Sequence, residues 1–147
     1  MIDLESLNER GVGKLPGFLG IVFTYLDGAE VRAELRIRDE LMAPNGFLHA
    51  GTIITLADTA CGYGCFANLP PGATGFTTIE LKSNHLATAR EGTITAVATA
   101  AHRGRTTQVW DAVVAHRETH KTLALFRCTQ IILYSTGPDA RGSIASP

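Results

Sequence analysis

The chain has 147 residues, of which 45% are hydrophobic, so it can bury one sizeable core but is too short for two ordinary domains. Thirteen basic and fourteen acidic side chains leave a formal charge of -1, which excludes a global field that would recruit nucleic acid or an acidic membrane. No apolar run approaches the length needed to cross a bilayer. We therefore expect one domain that binds neither nucleic acid nor membrane, and any anion site must be local.

The two ends of the sequence and its cysteines indicate the compartment. The N-terminal MIDLESLNERG has no apolar stretch of signal-peptide length. Residues 137–147 are rich in Gly, Pro, Ser and Ala, so we expect a flexible tail after a single domain spanning residues 1–136. The three cysteines form no CxxC pair, and an odd number fits a disulfide framework poorly. These features predict an unprocessed cytoplasmic protein.

The first third of the chain predicts a short helix followed by a β-hairpin. Apolar residues recur at helical spacing from Ile2 to Arg10, and Gly11 and Gly13 end this helix. Two β-rich runs, GIVFTYLD and EVRAELRIRD, then flank the turn at residues 28–29. Apolar and charged residues alternate in the second run, so we expect a hairpin with one buried and one solvated face.

A buried helix followed by four strands is predicted for the rest of the chain. The segment GTIITLADTACGYGCFAN has apolar residues around nearly its whole helical circumference, and the proline-rich turn at residues 68–72 ends it. We expect an α+β fold in which one curved antiparallel sheet of six strands wraps around this central helix. The four later strands are predicted at Gly75–Leu86, Thr93–His102, Thr106–Arg117 and Thr122–Leu133.

Asp58 is the most informative residue because it lies in the middle of this apolar helix. An ionised carboxylate buried there without partners would cost several kcal/mol as an order of magnitude, so it must be hydrogen-bonded, exposed at a cleft, or protonated. Each of these states suits a general base. The alternative is that Asp58 lies on a narrow polar stripe with Thr55 and Thr59 and simply reaches solvent or a subunit boundary.

The residues that begin the helix predict an oxyanion site. Asn45-Gly46 forms a tight turn, and His49, Ala50 and Gly51 open the helix, where the first amides have no intrahelical acceptors. Such amides bind oxyanions, and small residues let a substrate carbonyl approach the backbone. Alternatively, Gly51 only permits close packing between helix and sheet, and His49 is only a structural hydrogen-bonding residue.

Spacing then predicts that two chains share each active site. Ala50 and Asp58 are eight residues apart, which on one helix separates them by roughly 12 Å. An oxyanion donor and a base that act on one thioester carbon must both lie within about 3–4 Å of the reacting atoms. If both groups act, they come from different subunits, and the protein is at least a homodimer.

The pattern His49-x-Gly51 followed by Leu56-Ala57-Asp58-Thr59-Ala60 resembles the PaaI-like hotdog thioesterases, in which a segment of the form HGG(x)nLAD begins the central helix. The similarity extends from about residue 46 to residue 133 and includes the strand order. It implies the hotdog fold, hydrolysis of acyl-CoA thioesters to free acid and CoA without a cofactor, and a homotetramer formed as a dimer of dimers.

The resemblance also implies roles for individual residues. Helix-start amides polarise the thioester carbonyl in the family, which matches Ala50 and Gly51, and the acid on the helix that activates water or attacks the thioester matches Asp58. A hydroxyl on the next strand positions the water, which matches Thr78, with Thr77 as the second candidate. The turn Arg103-Gly104-Arg105 matches the place where such proteins hold CoA phosphates, a role that suits the arginine fork; alternatively it is a charged hairpin tip that aids solubility.

Two positions depart from the family pattern. The first of the two usual glycines is Ala50 here, whose methyl group leaves the amide free to donate but narrows the access of the acyl group. Six residues before the histidine the family commonly has Asn or Gln, whereas this chain has Ala43. Either the neighbouring Asn45 substitutes in contacting the substrate, together with Gly46, or the site has one fewer polar contact, or catalysis is weak.

Two other functions remain alternatives at this point. A hotdog hydratase or dehydratase also uses a histidine and a carboxylate, but with a different separation from the nine residues between His49 and Asp58. A non-catalytic acyl-CoA-binding module stays an alternative because of Ala43. Cys61 and Cys65 share a helix face without a histidine at useful spacing, so core packing is expected for both. No metal is expected, because the remaining histidines lack ligand spacing: His85, His102, His116 and His120.

Overall fold

A six-stranded antiparallel sheet surrounds one long helix in the computed structural model, which describes residues 2–135. The predicted tail at residues 137–147 lies outside the described residues. A 3-10 turn at Asp39–Leu41 precedes the long helix. The helices are α1 (Leu4–Arg10), α2 (Leu15–Leu19) and α3 (Ala50–Ala67), and the strands are β1 (Val22–Asp27), β2 (Glu30–Arg36), β3 (Ala73–His85), β4 (Thr93–Arg103), β5 (Thr107–His116) and β6 (Thr122–Tyr134).

The strand order confirms the predicted sheet around a central helix. The order across the sheet is β1-β2-β4-β5-β6-β3, and all neighbours are antiparallel. Strands β4, β5 and β6 are consecutive neighbours and form a meander. Helix α3 connects β2 to β3 in the sequence and lies across the inner face of the sheet. This is the hotdog architecture. Strands β1 and β3 form the two edges of the sheet, and β3 lies beside α3.

The alternation in β2 shows why the sequence folds this way. Val31, Ala33 and Leu35 are buried against α3, whereas Arg32 and Arg36 are exposed on the other face. Burying one side of a period-two pattern fixes the register, because a slip by one residue would expose the whole apolar set. The predicted hairpin with one buried and one solvated face is confirmed in β2.

Two short elements differ from the predictions. Helix α1 begins at Leu4 instead of Ile2, because the Asp3 carboxylate accepts a hydrogen bond from the Ser6 amide at 2.9 Å and caps the helix there. Helix α2 was not predicted. It has five residues, too few for a periodic pattern, with a proline in its first turn and Gly20 at φ 79 as its C-cap.

Helix α3 is buried on one broad side and half-exposed along a narrow strip. On the buried side Gly64 lies under Trp110, where a Cβ atom would approach the indole ring to 2.6 Å. The half-exposed strip, hereafter the open strip, consists of Ile54, Thr55, Asp58 and Thr59. Across residues 2–135, none of the helices combines the length and the apolar character that spanning a membrane requires.

Candidate active site

Asp58 lies on the open strip of α3, opposite the edge strand β3. Its carboxylate Oδ1 is 3.4 Å from the Thr78 hydroxyl. Loss of solvent around this half-buried side chain raises the pKa of Asp58, and the hydrogen bond from Thr78 opposes this effect more weakly. The hydroxyl of Thr78, the residue predicted to position the water, therefore lies beside Asp58 of the same chain.

Strand β3 places Thr78 on its inner face, immediately before a β-bulge. Thr78 pairs with Gln130 of β6, Glu80 pairs with the next residue Thr129, and Ile79 is the extra residue between them. Thr77 pairs with Ile131, which places Thr77 on the outer face, away from Asp58. The structure thus brings Thr78 to Asp58 and separates Thr77 from it.

Gln130 is a polar residue of the site that the sequence analysis missed. It is fully buried on the inner face of β6, and its Oε1 lies 2.8 Å from the Thr78 hydroxyl. Its Nε2 lies 3.3 Å from the Cys128 sulfur. The available signal was the phase of β6, since Phe126, Cys128, Gln130 and Ile132 follow one another at every second position and all face inward.

His49 is the N-cap of α3, and its side chain caps the first turn of the helix. The Gly51 amide donates to His49 Nδ1 at 2.8 Å, and the Thr52 amide donates to the His49 carbonyl at 2.9 Å. A Cβ atom at position 51 would lie 2.9 Å from that ring nitrogen, so glycine is what allows the ring to fold over the helix start. Because the Gly51 amide is occupied, the Ala50 amide is the one at this helix start without an acceptor among residues 2–135.

The tight turn before the helix is held by its own hydrogen bonds. Asn45 Oδ1 accepts from the Phe47 amide at 3.2 Å, and Gly46, at φ 83, donates its amide to the Ala43 carbonyl at 3.0 Å. Asn45 and Gly46 therefore shape the approach to the helix start. Arg90, which was not predicted, lies over the Phe47 ring at 4.4 Å and places a positive charge beside this turn.

The turn Arg103-Gly104-Arg105 lies at the other end of α3. Arg103 donates to the side-chain oxygen of Asn68, the C-cap of α3, at 2.7 Å, and the Gly104 amide donates to the Thr107 carbonyl at 2.9 Å. The Arg105 guanidinium lies 5.9 Å from the centre of the Tyr134 ring. Eighteen helical residues separate this turn from the helix start by roughly 27 Å in one chain.

The two buried cysteines of α3, Cys61 and Cys65, have raised pKa values. Hydrogen bonding with Cys128, together with burial, raises the pKa of Cys61 well above its usual range, and burial raises the pKa of Cys65 to about 12. Thiols of this kind are poor nucleophiles at neutral pH. Over the described part of the chain, no group of three or more His, Cys, Asp or Glu side chains is placed to hold a metal ion.

Comparison with known proteins identifies the family. A family model described as the thioesterase superfamily matches residues 45–123, which is more than half of the chain and includes α3 and Thr78. The chain belongs to the thioesterase superfamily. A 1,4-dihydroxy-2-naphthoyl-CoA hydrolase from Listeria monocytogenes is 33% identical to this thioesterase over 111 residues, covering 76% of this chain and 89% of the relative.

Other similar proteins are also thioesterases by name. A proofreading thioesterase from Cronobacter sakazakii is 30% identical over 113 residues, covering 77% of this chain and 82% of the relative. The crystal structure of a mutant thioesterase from Pseudomonas aeruginosa superimposes with a TM-score of 0.85 at 31% identity, covering 90% of this chain and 95% of the other. A Haemophilus influenzae thioesterase gives a TM-score of 0.85 at 28% identity, covering 91% and 92%. The protein is a thioester hydrolase, which confirms that prediction.

Proposed function

We propose that this thioesterase hydrolyses acyl-CoA thioesters at two sites shared between protomers, with Asp58 of one protomer and the helix start of its partner at each site. The observation that supports this most directly is the Asp58 carboxylate, half-buried on the open strip and hydrogen-bonded to Thr78. Relatives that act on CoA thioesters support the substrate class.

The uncovered inner face of β3 supports the shared site. Leu81 points inward beside Cys128, yet 42% of its surface is exposed, because α3 of the same chain does not reach this part of the strand. The free hydrogen-bonding edge of β3 is 13 residues long. A second copy of the chain can pair with this edge and cover Leu81 with its own helix. We extend the proposal to a homodimer, and to a homotetramer built from two such dimers.

Asp58 can act on the thioester in either of two ways. As a general base, Asp58 takes a proton from water while the water oxygen attacks the thioester carbon; the protonated Asp58 then returns the proton to the leaving sulfur as the carbon–sulfur bond breaks. As a nucleophile, Asp58 attacks the same carbon, expels the thiolate, and forms an anhydride that water hydrolyses. Both routes need the ionised carboxylate, so activity falls as the pH drops through the raised pKa of Asp58.

The helix start provides donors for the developing oxyanion. The Ala50 amide is one donor. His49 is a second, because the neutral ring accepts the Gly51 amide at Nδ1 and therefore has its proton on Nε2. In this arrangement Gly51 orients the histidine instead of donating to the substrate itself. Arg105 then binds the CoA phosphates at the site that contains Asp58 of its own protomer and the helix start of the partner. Arg103 and Gly104 shape the turn that holds Arg105.

Mixed dimers test the shared site. Ala50→Pro removes the proposed amide donor at little structural cost, since proline is favoured in the first helical turn and His49 already has the extended backbone that a following proline requires (φ -64, ψ 134). Asp58→Asn removes the carboxylate. Each homodimer should be inactive towards a panel of aromatic and straight-chain acyl-CoA substrates, followed by release of free thiol.

A mixed dimer of these two variants has one site with both Asp58 and the Ala50 amide only if each site takes these groups from different chains. Purified through two affinity tags, the mixed dimer should recover about half of the wild-type activity. No recovery, with both variants folded and dimeric, would refute the shared site. Full activity of the Asp58→Asn homodimer would refute the proposed role of the carboxylate.

A further inference from the structure

A chain of buried polar groups continues from Asp58 into the sheet. It runs from the carboxylate to the Thr78 hydroxyl, then to the Gln130 amide and the Cys128 sulfur. Thr78 and Gln130 are directly opposite each other on β3 and β6, so the backbone register fixes their contact. Gln130 is 0% exposed, and its amide contacts a hydroxyl and a thiol. Burying an amide with such weak partners costs free energy, which indicates that Gln130 has a function.

The single proton of the Thr78 hydroxyl has two acceptors. Gln130 Oε1 lies at 2.8 Å and Asp58 Oδ1 lies at 3.4 Å. A hydroxyl donates one hydrogen bond at a time, so the two acceptors compete for this proton, and the shorter distance favours the amide oxygen of Gln130. Gln130 thus competes with Asp58 for the donor that would otherwise stabilise the carboxylate anion.

We propose that Gln130 is a positioning residue that holds the Thr78 hydroxyl proton away from Asp58 and thereby keeps Asp58 a stronger base. This inference rests on the proposed role of Asp58 and goes beyond it by naming the residue that tunes the carboxylate. A base of higher proton affinity removes a proton from water more readily, provided that it stays ionised at the working pH.

Few titratable groups face Asp58 from the packed elements. On α3 and β6 these are the thiols of Cys61, whose pKa is raised by its hydrogen bond with Cys128 and by burial, and of Cys128, which is buried. The inner face of β3 presents Thr78 and Leu81 beside it, whereas the charged residues Glu80 and Lys82 of β3, Asp111 of β5 and Arg127 of β6 lie on the outer face. Within residues 2–135, the hydroxyl of Thr78 is the hydrogen-bond donor that reaches the carboxylate.

The test is the pH dependence of acyl-CoA hydrolysis by Gln130→Met, which keeps the side-chain length and removes the amide. The Thr78 proton is then free to stabilise the Asp58 anion, so the midpoint of the acidic limb should fall by about 0.5 to 1 pH unit. The plateau kcat should fall about threefold, because the base is weaker, and KM should not change. An unchanged or raised midpoint overturns the proposal.

Gln108 provides the matched control. It is the other buried glutamine on the inner face, 1% exposed and directly opposite Gln130 on β5, but its amide binds the Asn68 carbonyl and the Trp110 indole instead of Thr78. Gln108→Met should lower the thermal stability and leave the acidic limb where it is. A shift equal to that of Gln130→Met would indicate a general effect of lost packing and would overturn the proposal.

Thr78→Val tests the same idea without altering Gln130. If Gln130 already holds the proton, this variant should raise the midpoint by less than about 0.3 pH unit, and adding Gln130→Met to it should produce no further downward shift. A rise of one pH unit or more shows that the proton serves Asp58, and overturns the proposal even if Gln130→Met does not fold. An active Asp58→Asn enzyme would instead refute the proposed function itself, so the two failures are distinct.

Discussion

Replacing Asp58 by asparagine should abolish hydrolysis and stabilise the fold at neutral pH. Loss of solvent raises the pKa of Asp58, so the folded chain binds this proton more tightly than the unfolded chain does. The wild-type protein therefore loses stability as the pH rises from 3.8, the usual pKa of an aspartate, through the raised pKa of Asp58. Each tenfold increase in proton affinity corresponds to about 1.4 kcal/mol. The amide keeps the shape and an acceptor for Thr78 but has no charge to desolvate.

We expect Asp58→Asn to unfold with a free energy higher by on the order of 1 kcal/mol at pH 7, a rise in Tm of about 4 °C. Activity should fall about a thousandfold. Urea unfolding from pH 3 to pH 8, together with thiol release, measures both effects. The gain in stability should shrink as the pH falls through the raised pKa and vanish when Asp58 is protonated in both folded and unfolded chains.

Asp111 is the matched control because its pKa is shifted in the opposite direction. Hydrogen bonds from Arg127, at 2.6 Å and 2.7 Å, lower the pKa of Asp111 on the outer face. Asp111→Asn should therefore lose stability at neutral pH, by no more than about 1 kcal/mol because solvent screens this exposed pair, and should keep its activity. The reasoning is refuted if Asp58→Asn is no more stable than the wild type at pH 7, or if its advantage is the same at pH 3.

Gly64→Ala should destabilise the fold by about 1–3 kcal/mol in urea unfolding, because the new Cβ would lie 2.6 Å from the buried Trp110 ring, whereas Gly62→Ala, at 3.3 Å from Phe76, should cost less. Equal costs would contradict the packing argument. Arg105→Ala should raise KM for acyl-CoA about fivefold while leaving KM for a thioester without the nucleotide unchanged. Arg103→Ala should instead lower Tm, because Arg103 binds Asn68, the C-cap of α3. If only Arg103→Ala weakened CoA binding, Arg103 and not Arg105 would be the residue that binds the phosphates.

The sequence predicted the sheet and the central helix because their patterns coincide with burial. In β2 every second side chain is buried, so hydrophobicity alone specifies the strand and its face. Asp58 was predictable for the opposite reason, as a charge among apolar neighbours. Thr78 followed from the family resemblance, and the structure places its hydroxyl beside that charge.

Other features depend on geometry that a linear pattern does not contain. Gln130 was missed because β6 buries the consecutive residues Leu123 and Ala124, which obscures the phase of its alternation. The His49 ring accepts the Gly51 amide only because glycine leaves room above the helix start, and the sequence allowed several reasons for that glycine. Arg103 binds Asn68, which is 35 positions away in the sequence.

The extra residue Ile79 in β3 restricts how the length of this strand can vary. Thr78 faces the helix, and after the bulge Glu80 and Lys82 face outward while Leu81 and Ser83 face inward. Deleting Ile79 would remove the bulge and restore strict alternation, with Glu80 and Lys82 still facing outward and Leu81 still facing inward. Loss of both Ile79 and Glu80 would instead turn Leu81 outward and the charged Lys82 inward, so related chains should lack the single bulge residue here or keep both residues.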